Sequence, residues 1–172
     1  GNVLGASSAW YDRSEKVESY TAHLFSDWTA DFSTQFKIAS TSQATGQNSL
    51  NGAEFPSFGV FLREVDGDSN FLVIGPDRFR HGNELDQDFL QIKATAEYVT
   101  GDHIIKFGYE REDVDVNNLF AQNSEGSYYF SSIENLRNAI ADELSYDNAI
   151  TNNENDLRAI WGYTYNSLYI QD

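Results

Sequence analysis

Apolar and polar residues alternate with a period of two over long segments of this 172-residue sequence. That period sends successive side chains to opposite faces of a strand. Between Phe89 and Val99, one face carries Leu90, Ile92, Ala94, Ala96 and Tyr98, and the other carries Gln91, Lys93, Thr95 and Glu97. After Thr100-Gly101-Asp102 the rhythm resumes, with Ile105, Phe107 and Tyr109 set against Lys106, Gly108 and Glu110. This pattern predicts a β-hairpin. An earlier hairpin is predicted from Tyr20, Ala22, Leu24 and Trp28 opposite Thr21, His23 and Asp27, with Phe25 breaking the pattern. Its turn is Thr29-Ala30-Asp31, and its return strand sets Phe32, Thr34, Phe36 and Ile38 against Ser33, Gln35 and Lys37. A last strand over 156–172 places Leu157, Ala159, Trp161, Tyr163 and Tyr165 on one face and Arg158, Gly162, Thr164 and Asn166 on the other.

The connections alternate in length. Two are minimal turns; the others run over roughly 40–87 and 114–155. Outer-membrane barrels combine short periplasmic turns with long extracellular loops, whereas compact soluble domains favour connections of about 4–6 residues. Within the first long connection, Phe55 to Val65 and Phe71 to Ile74 read as strands around the turn Asp66-Gly67-Asp68-Ser69-Asn70. In the second, Ser131-Ser132-Ile133-Glu134 suggests a capping box, and Ile133, Leu136, Ile140 and Leu144 recur at helical spacing. The polar run Thr151-Asn152-Asn153-Glu154-Asn155 is expected to be a mobile loop tip. Trp28, Phe32 and Tyr98 lie next to the short turns, where a membrane–water interface favours aromatic rings.

Charge and composition narrow the field. With 27 acidic and 11 basic residues, net −16, the chain is poorly suited to neutralise nucleic-acid phosphates. The absence of Cys removes disulfides, thiolate catalysis and Cys-based metal sites. No apolar run approaches the roughly 20 residues of a membrane helix, which leaves barrel strands open. There is no Met, no charged-then-apolar leader opens the chain, and residues 167–172 still read as strand. The chain is therefore expected to be a piece of a longer barrel.

Candidate chemistry is sparse. Asp66, Asp68 and Asn70 alternate oxygens as calcium loops do, but Asp77 stands where an EF-hand carries its closing Glu, and a solvated turn is the preferred reading. Asp113, Asp115 and Asn117 are read as a polar wall. His23, His81 and His103 are too scattered in sequence to suggest a metal. The densest mixed-charge patch is Asp77, Arg78, Arg80, His81, Glu84 and Asp86, expected to hold loops together by ion pairs. No GxSxG, HExxH or phosphate-cradling glycine loop occurs, so no enzyme is expected and no catalytic, cofactor-binding or metal residue is assigned.

Several blocks resemble Oar-like TonB-dependent outer-membrane receptors. They are Gly75-Pro76-Asp77-Arg78-Phe79-Arg80-His81-Gly82-Asn83-Glu84-Leu85-Asp86, the segment from Phe107 to Gln122, and Gly126-Ser127-Tyr128-Tyr129-Phe130 with its continuation to Leu136. The terminal Tyr165-Asn166-Ser167-Leu168-Tyr169-Ile170-Gln171-Asp172 is similar to strand ends common in receptor barrels. The resemblance implies a plugged barrel of roughly 22 strands that takes up a ligand with energy delivered through TonB. It also implies a plug and a TonB-contacting segment in parts outside this chain. The expectation for residues 1–172 is therefore all-β: antiparallel strands of a partial transmembrane β-barrel, with long extracellular loops and one short helix. Its expected partners are outer-membrane lipid, the plug, TonB and an unidentified ligand, with no nucleic acid. The competing expectation is a secreted or cell-surface β-rich binding module, an adhesin or glycan binder, whose apolar faces pack sheet to sheet.

Overall fold

The computed structural model describes residues 2–172. Its strands are β1 (Asn2–Gly5), β2 (Tyr11–Asp27), β3 (Phe32–Ser49), β4 (Ser57–Val65), β5 (Asp68–Ile74), β6 (Gly82–Thr100), β7 (His103–Ala121), β8 (Ser127–Phe130), β9 (Glu143–Ser145) and β10 (Ala159–Gln171). One short helix, α1, spans Ile133–Arg137. The fold is all-β, in two open five-stranded sheets ordered β1-β5-β4-β8-β9 and β10-β7-β6-β3-β2. Two compact units result. One holds the residues up to Glu15 with Thr45–Leu85 and Asn118–Ala159; the other holds Lys16–Ala44, Asp86–Asn117 and Ile160–Asp172.

In the second unit, cross-strand contacts fix the pairing. Ser19 and Thr41 share a hydroxyl bond of 2.9 Å across β2 and β3. The Val99 N–H donates to the Asp31 carbonyl at 2.8 Å, tying the two short turns together. Across β6 and β7, Gln91 bonds Glu112, Lys93 bonds Glu110 and Lys106 pairs with Glu97. Across β7 and β10, His103 meets Asp172 and Tyr109 meets Asn166. In each series the number climbs on one strand as it falls on its neighbour, which is antiparallel pairing. Both expected hairpins form, and their turns use the expected residues. Gly101 supplies a positive φ of 60° in one. In the other, the Trp28 and Thr29 N–H groups donate to the Phe32 carbonyl.

The strands outrun the sequence pattern. β3 continues to Ser49, β6 begins at Gly82 and β7 ends at Ala121, so much of the two expected long loops is strand. Alternation reports a difference in environment between the faces of a strand, and it fades where both faces meet polar surroundings. The backbone ladder needs no such difference, and polar pairs such as Gln47–Asn83 support it there.

The first unit builds its own core. Val60 is fully buried, and Phe58 sits among Phe55, Tyr128 and Phe130, with ring centroids 5.6–6.2 Å apart. Across the strand, Phe61, Phe71 and Tyr129 cluster on the other side. Two pairings are parallel, β1 with β5 and β4 with β8, so the expectation of antiparallel strands holds only in part. β1 and β8 were not anticipated: four residues are too few to show periodicity. Asp66 and Gly67, both at positive φ, make a two-residue turn, and Asp68, Ser69 and Asn70 belong to β5 rather than to a loop. Gly75, at φ 84°, packs against the Pro56 carbonyl with no room for a Cβ.

The helix is shorter than its apolar spacing suggested. Ser132, not Ser131, is the N-cap, accepting from the Asn135 N–H at 3.0 Å. Asn138 caps the C-terminus and Ala139 takes a left-handed φ of 54°, so Ile140 falls outside the helix and Leu144 enters β9. The expected loop tip is a structured turn. Thr151 bonds Asp156, and Asn153 caps the 3-10 turn Glu154–Leu157. That turn also removes Leu157 and Arg158 from the expected last strand, which starts at Ala159.

Candidate functional site

Two different surfaces emerge in the second unit once each contact is assigned to a face. Trp28–Thr34, Tyr109–Asn166 and Asp113–Thr164 lie on one face; Lys93–Glu110, Gln91–Glu112 and Lys106–Glu97 lie on the other. Period two then assigns the remaining residues. The first face presents Tyr20, Leu24, Phe36, Leu90, Ala94, Ala96, Phe107 and Leu168. It stays open to solvent even on inner strands, with Phe36 44% and Phe107 48% exposed. Between those rings, over Ala94 and Ala96, lies an apolar hollow of about 630 Å³. The Trp28 indole N–H donates to Thr34 at 2.8 Å beside the turn, so its polar tip is satisfied while the ring stays outside. Where the apolar residues stop, Arg111 forms a two-pronged pair with Asp113 at 2.8 Å, and Thr164 donates to the same carboxylate. Asp113 is thus partnered, whereas Asp115 lines a cavity with Asp86, Asp88 and Asn117.

The opposite face is charged and polar, interrupted by apolar residues that include Val17, Phe25, Ala39, Phe89, Val99, Ile104 and Val114. Here the position of β10 differs from what its sequence suggests. Trp161, Tyr163 and Tyr165 do alternate with Gly162, Thr164 and Asn166 as expected. However, Asn166 and Thr164 bond residues on the apolar face, so the aromatic series falls on the charged one. Tyr169, of the same series, lies against Gly108, with Lys93 Nζ 5.8 Å from its ring centroid. Gly108 is what leaves space for that ring.

In the first unit, the mixed-charge patch disperses. Asp77 caps the 3-10 turn Arg78–Arg80 by accepting from the Phe79 N–H at 2.9 Å. Arg78 covers the Phe79 ring, and Arg80 stacks on Tyr11 at 4.3 Å and donates to its hydroxyl. Only Glu84 makes the expected ion pair, at 2.5 Å to Arg158. Asp86 falls in the other unit.

His81 is 3% exposed, and its Nδ1 accepts from the Glu125 N–H at 3.2 Å. That bond requires an unprotonated Nδ1. Burial pushes the His81 imidazole below its ordinary value of 6.5, against the opposing pull of Glu154 and Asp77. Around it runs a knot that sequence reasoning missed. Asn123 donates to Asp147 at 2.9 Å, Ser124 donates to Glu154 at 2.7 Å, and Asn148 donates to the Ser124 carbonyl. Burial, with Glu154 and Glu54 adding repulsion, raises the Glu125 carboxyl above its ordinary range. Further along, Asp142 is held below the carboxylate range by the Ser131 N–H and the Asn135 amide. A positive φ of 58° at Asn123 was the only local cue, and it is invisible in sequence.

His23 packs on Phe25 with centroids 3.8 Å apart, and His103 reaches Asp172 at 2.7 Å. Among the described residues no group of three or more His, Asp or Glu is arranged to hold a metal ion. Asn70 turns its amide to the Arg63 and Asp68 carbonyls. No family model matches this sequence, and comparisons with curated proteins and with solved structures likewise find no match.

Proposed function

We propose that this chain is part of the outer-membrane barrel of a TonB-dependent receptor of the Oar-like kind, which takes up a ligand across the bacterial outer membrane. The observation that carries the reading is the apolar face of the second unit, left open on inner strands as well as edges. Water disfavours a contiguous apolar patch larger than a few hundred Å², and lipid does not. From Leu90 to Tyr98, or from Tyr20 to Trp28, the face runs eight residue steps. At about 3.3 Å per residue and a tilt of roughly 40°, that is ~20 Å, close to the ~25 Å apolar band of such barrels. Trp28, Phe32 and Tyr98 would lie at the periplasmic interface, and the Arg111–Asp113 pair would mark the outer one. A plug, TonB and the ligand would engage the receptor through parts beyond this chain. A second reading, a surface binding module without transport, draws its support from the first unit, whose mixed sheet has an aromatic core of its own.

Residues 1–172 contain no Cys, so single cysteines introduced here can be compared with the unsubstituted protein as the labelling background. In intact cells expressing the whole protein, Leu90→Cys and Ala94→Cys should react with a lipid-soluble maleimide and resist a water-soluble one. Gln91→Cys and Thr95→Cys should react with the water-soluble reagent once the outer membrane is permeabilised. Equal labelling of both faces by the water-soluble reagent would refute a lipid-facing surface.

A further inference from the structure

We propose that a hollow on the sheet of the first unit binds an aromatic α-amino acid, with its ring over two strand glycines and its zwitterionic head against Asp77 and Arg78. The site lies apart from the surface proposed to meet lipid and does not depend on that reading.

The hollow measures about 420 Å³, within the range of small-ligand sites, and residues of the first unit alone line it. Val3 and Arg78 are exposed, so it opens to solvent. Strand register sets its floor. Gly5 stands opposite Val73, Val73 opposite Gly59, and Gly59 opposite Tyr129, which makes one row on one face of the sheet. A glycine inside a strand weakens it, and often marks a bulge, a bend or the close approach of a ligand or another backbone. Here the pairing runs unbroken from Phe58 to Phe61, and neither Gly5 nor Gly59 has a positive φ. A Cβ on Gly59 would meet nothing nearer than 3.9 Å, and one on Gly5 nothing nearer than 3.8 Å. Neither backbone conformation nor packing requires these glycines. Their missing side chains leave open space above the sheet.

The hollow is graded from apolar to polar. At one end it is lined by Val3 and by Tyr129, whose ring lies 6.3 Å from that of Phe71 in the next row. The row on the other side is the pair Ser57 and Ser127. Gly75 packs against the Pro56 carbonyl, which brings Asp77, Arg78 and Phe79 to this polar end.

Both charges are fixed in place with binding atoms to spare. One Asp77 oxygen accepts from the Phe79 N–H at 2.9 Å, and the other is unengaged. The Arg78 guanidinium lies 4.7 Å from the Phe79 ring centroid and forms no ion pair among the described residues, so its planar fork of N–H donors is available to a carboxylate. A lone anion would be repelled by Asp77 and a lone cation by Arg78. A head group with both charges on one carbon satisfies both residues, and the rings of Phe79 and Tyr129 favour a further ring beside them.

The test is calorimetric titration of the whole protein in detergent with L-phenylalanine and L-tryptophan. The controls are phenethylamine, which lacks the carboxylate, and hydrocinnamate, which lacks the ammonium. At least one amino acid should bind with a Kd of about 10 μM to 1 mM, roughly tenfold or more tighter than either control. Gly59→Val suits a strand and fills the floor, so circular dichroism and the thermal midpoint should hold while binding falls about tenfold or more. Arg78→Gln should abolish the preference for L-phenylalanine over phenethylamine. Asp77→Asn, which retains a cap for the Phe79 N–H, should abolish the preference over hydrocinnamate. A merely structural role for either residue would weaken every probe alike. If neither amino acid binds at up to about 10 mM, if folded Gly59→Val binds undiminished, or if both preferences survive the charge substitutions, the inference fails. The cysteine labelling reads a different surface, so the two readings fail separately.

Discussion

An arginine at Ala94 separates a lipid-facing sheet from a water-facing one. Ala94 lies on β6, six residues before the strand ends at Thr100. At about 3.3 Å per residue and a ~40° tilt, it stands ~15 Å from the turn, near the middle of a bilayer's apolar band. Its surroundings are Phe36, Ala96, Phe107 and Leu168, with no acidic side chain lining the hollow. An arginine at the bilayer midplane costs about 2–4 kcal/mol, and one near the interface about 0–1 kcal/mol. Ala94→Arg should therefore lower the folding equilibrium roughly 30- to 1000-fold. Tyr98→Arg, beside the turn, should cost at most about 1 kcal/mol. Thr95→Arg, on the charged face, should stay within ~0.5 kcal/mol, as ordinary surface substitutions do. The assay is denaturant-dependent refolding of the whole protein into phospholipid vesicles, followed by tryptophan emission. The discriminating quantity is the difference between adjacent residues: if Ala94→Arg costs no more than Thr95→Arg, the apolar face does not meet lipid.

Other outcomes follow from the first unit. Gly75→Ala combines a left-handed φ with a clash against the Pro56 carbonyl, so it should destabilise that unit by about 1–3 kcal/mol, seen as a loss of amide protection in β4 and β5. His81 has a lowered pKa, so the folded state binds fewer protons than the unfolded chain as pH falls below about 6.5, and stability drops in that window. Thermal unfolding from pH 8 to 5 should show that slope, and His81→Gln should flatten it. The raised Glu125 carboxyl acts in the opposite sense, recovering some stability as pH falls toward and through its folded pKa, above its ordinary 4.5. Ser132→Ala should cost about 1 kcal/mol of local stability at α1, measurable as faster exchange at the Asn135 amide.

What the sequence made legible was set by contrast between environments. Leu90 to Tyr98 announce their strand because their apolar residues gather on one face and their polar residues on the other. Thr41 to Ser49 belong to the same kind of ladder but meet polar surroundings on both sides, so nothing in their order distinguishes strand from loop. β1 and β8 are short and pair in parallel with strands far away in the chain, which no local pattern records. The charge cluster around Asp77 was correctly seen as dense, but density does not fix partners. Arg80 finds an aromatic ring, and His81 finds a backbone N–H 44 residues away.

The β10 strand carries the most consequential difference. Its aromatic series reads in sequence like more of the apolar face, because Trp and Tyr look hydrophobic wherever they fall. Register decides otherwise, since a strand shifted by one residue exchanges its faces. The bonds from Tyr109 to Asn166 and from Thr164 to Asp113 fix that register, and with it Asn166 and Thr164 take the side where lipid contact is proposed. The Thr164 hydroxyl and the Asn166 side-chain carbonyl are already bonded, which lowers the cost of removing them from water. Trp161, Tyr163 and Tyr165 share the face of Lys93, Glu110 and Glu112, and Tyr165 lies beside those three. The same register that would let this edge of the sheet sit in a membrane therefore turns the Trp161, Tyr163 and Tyr165 side chains to the charged face.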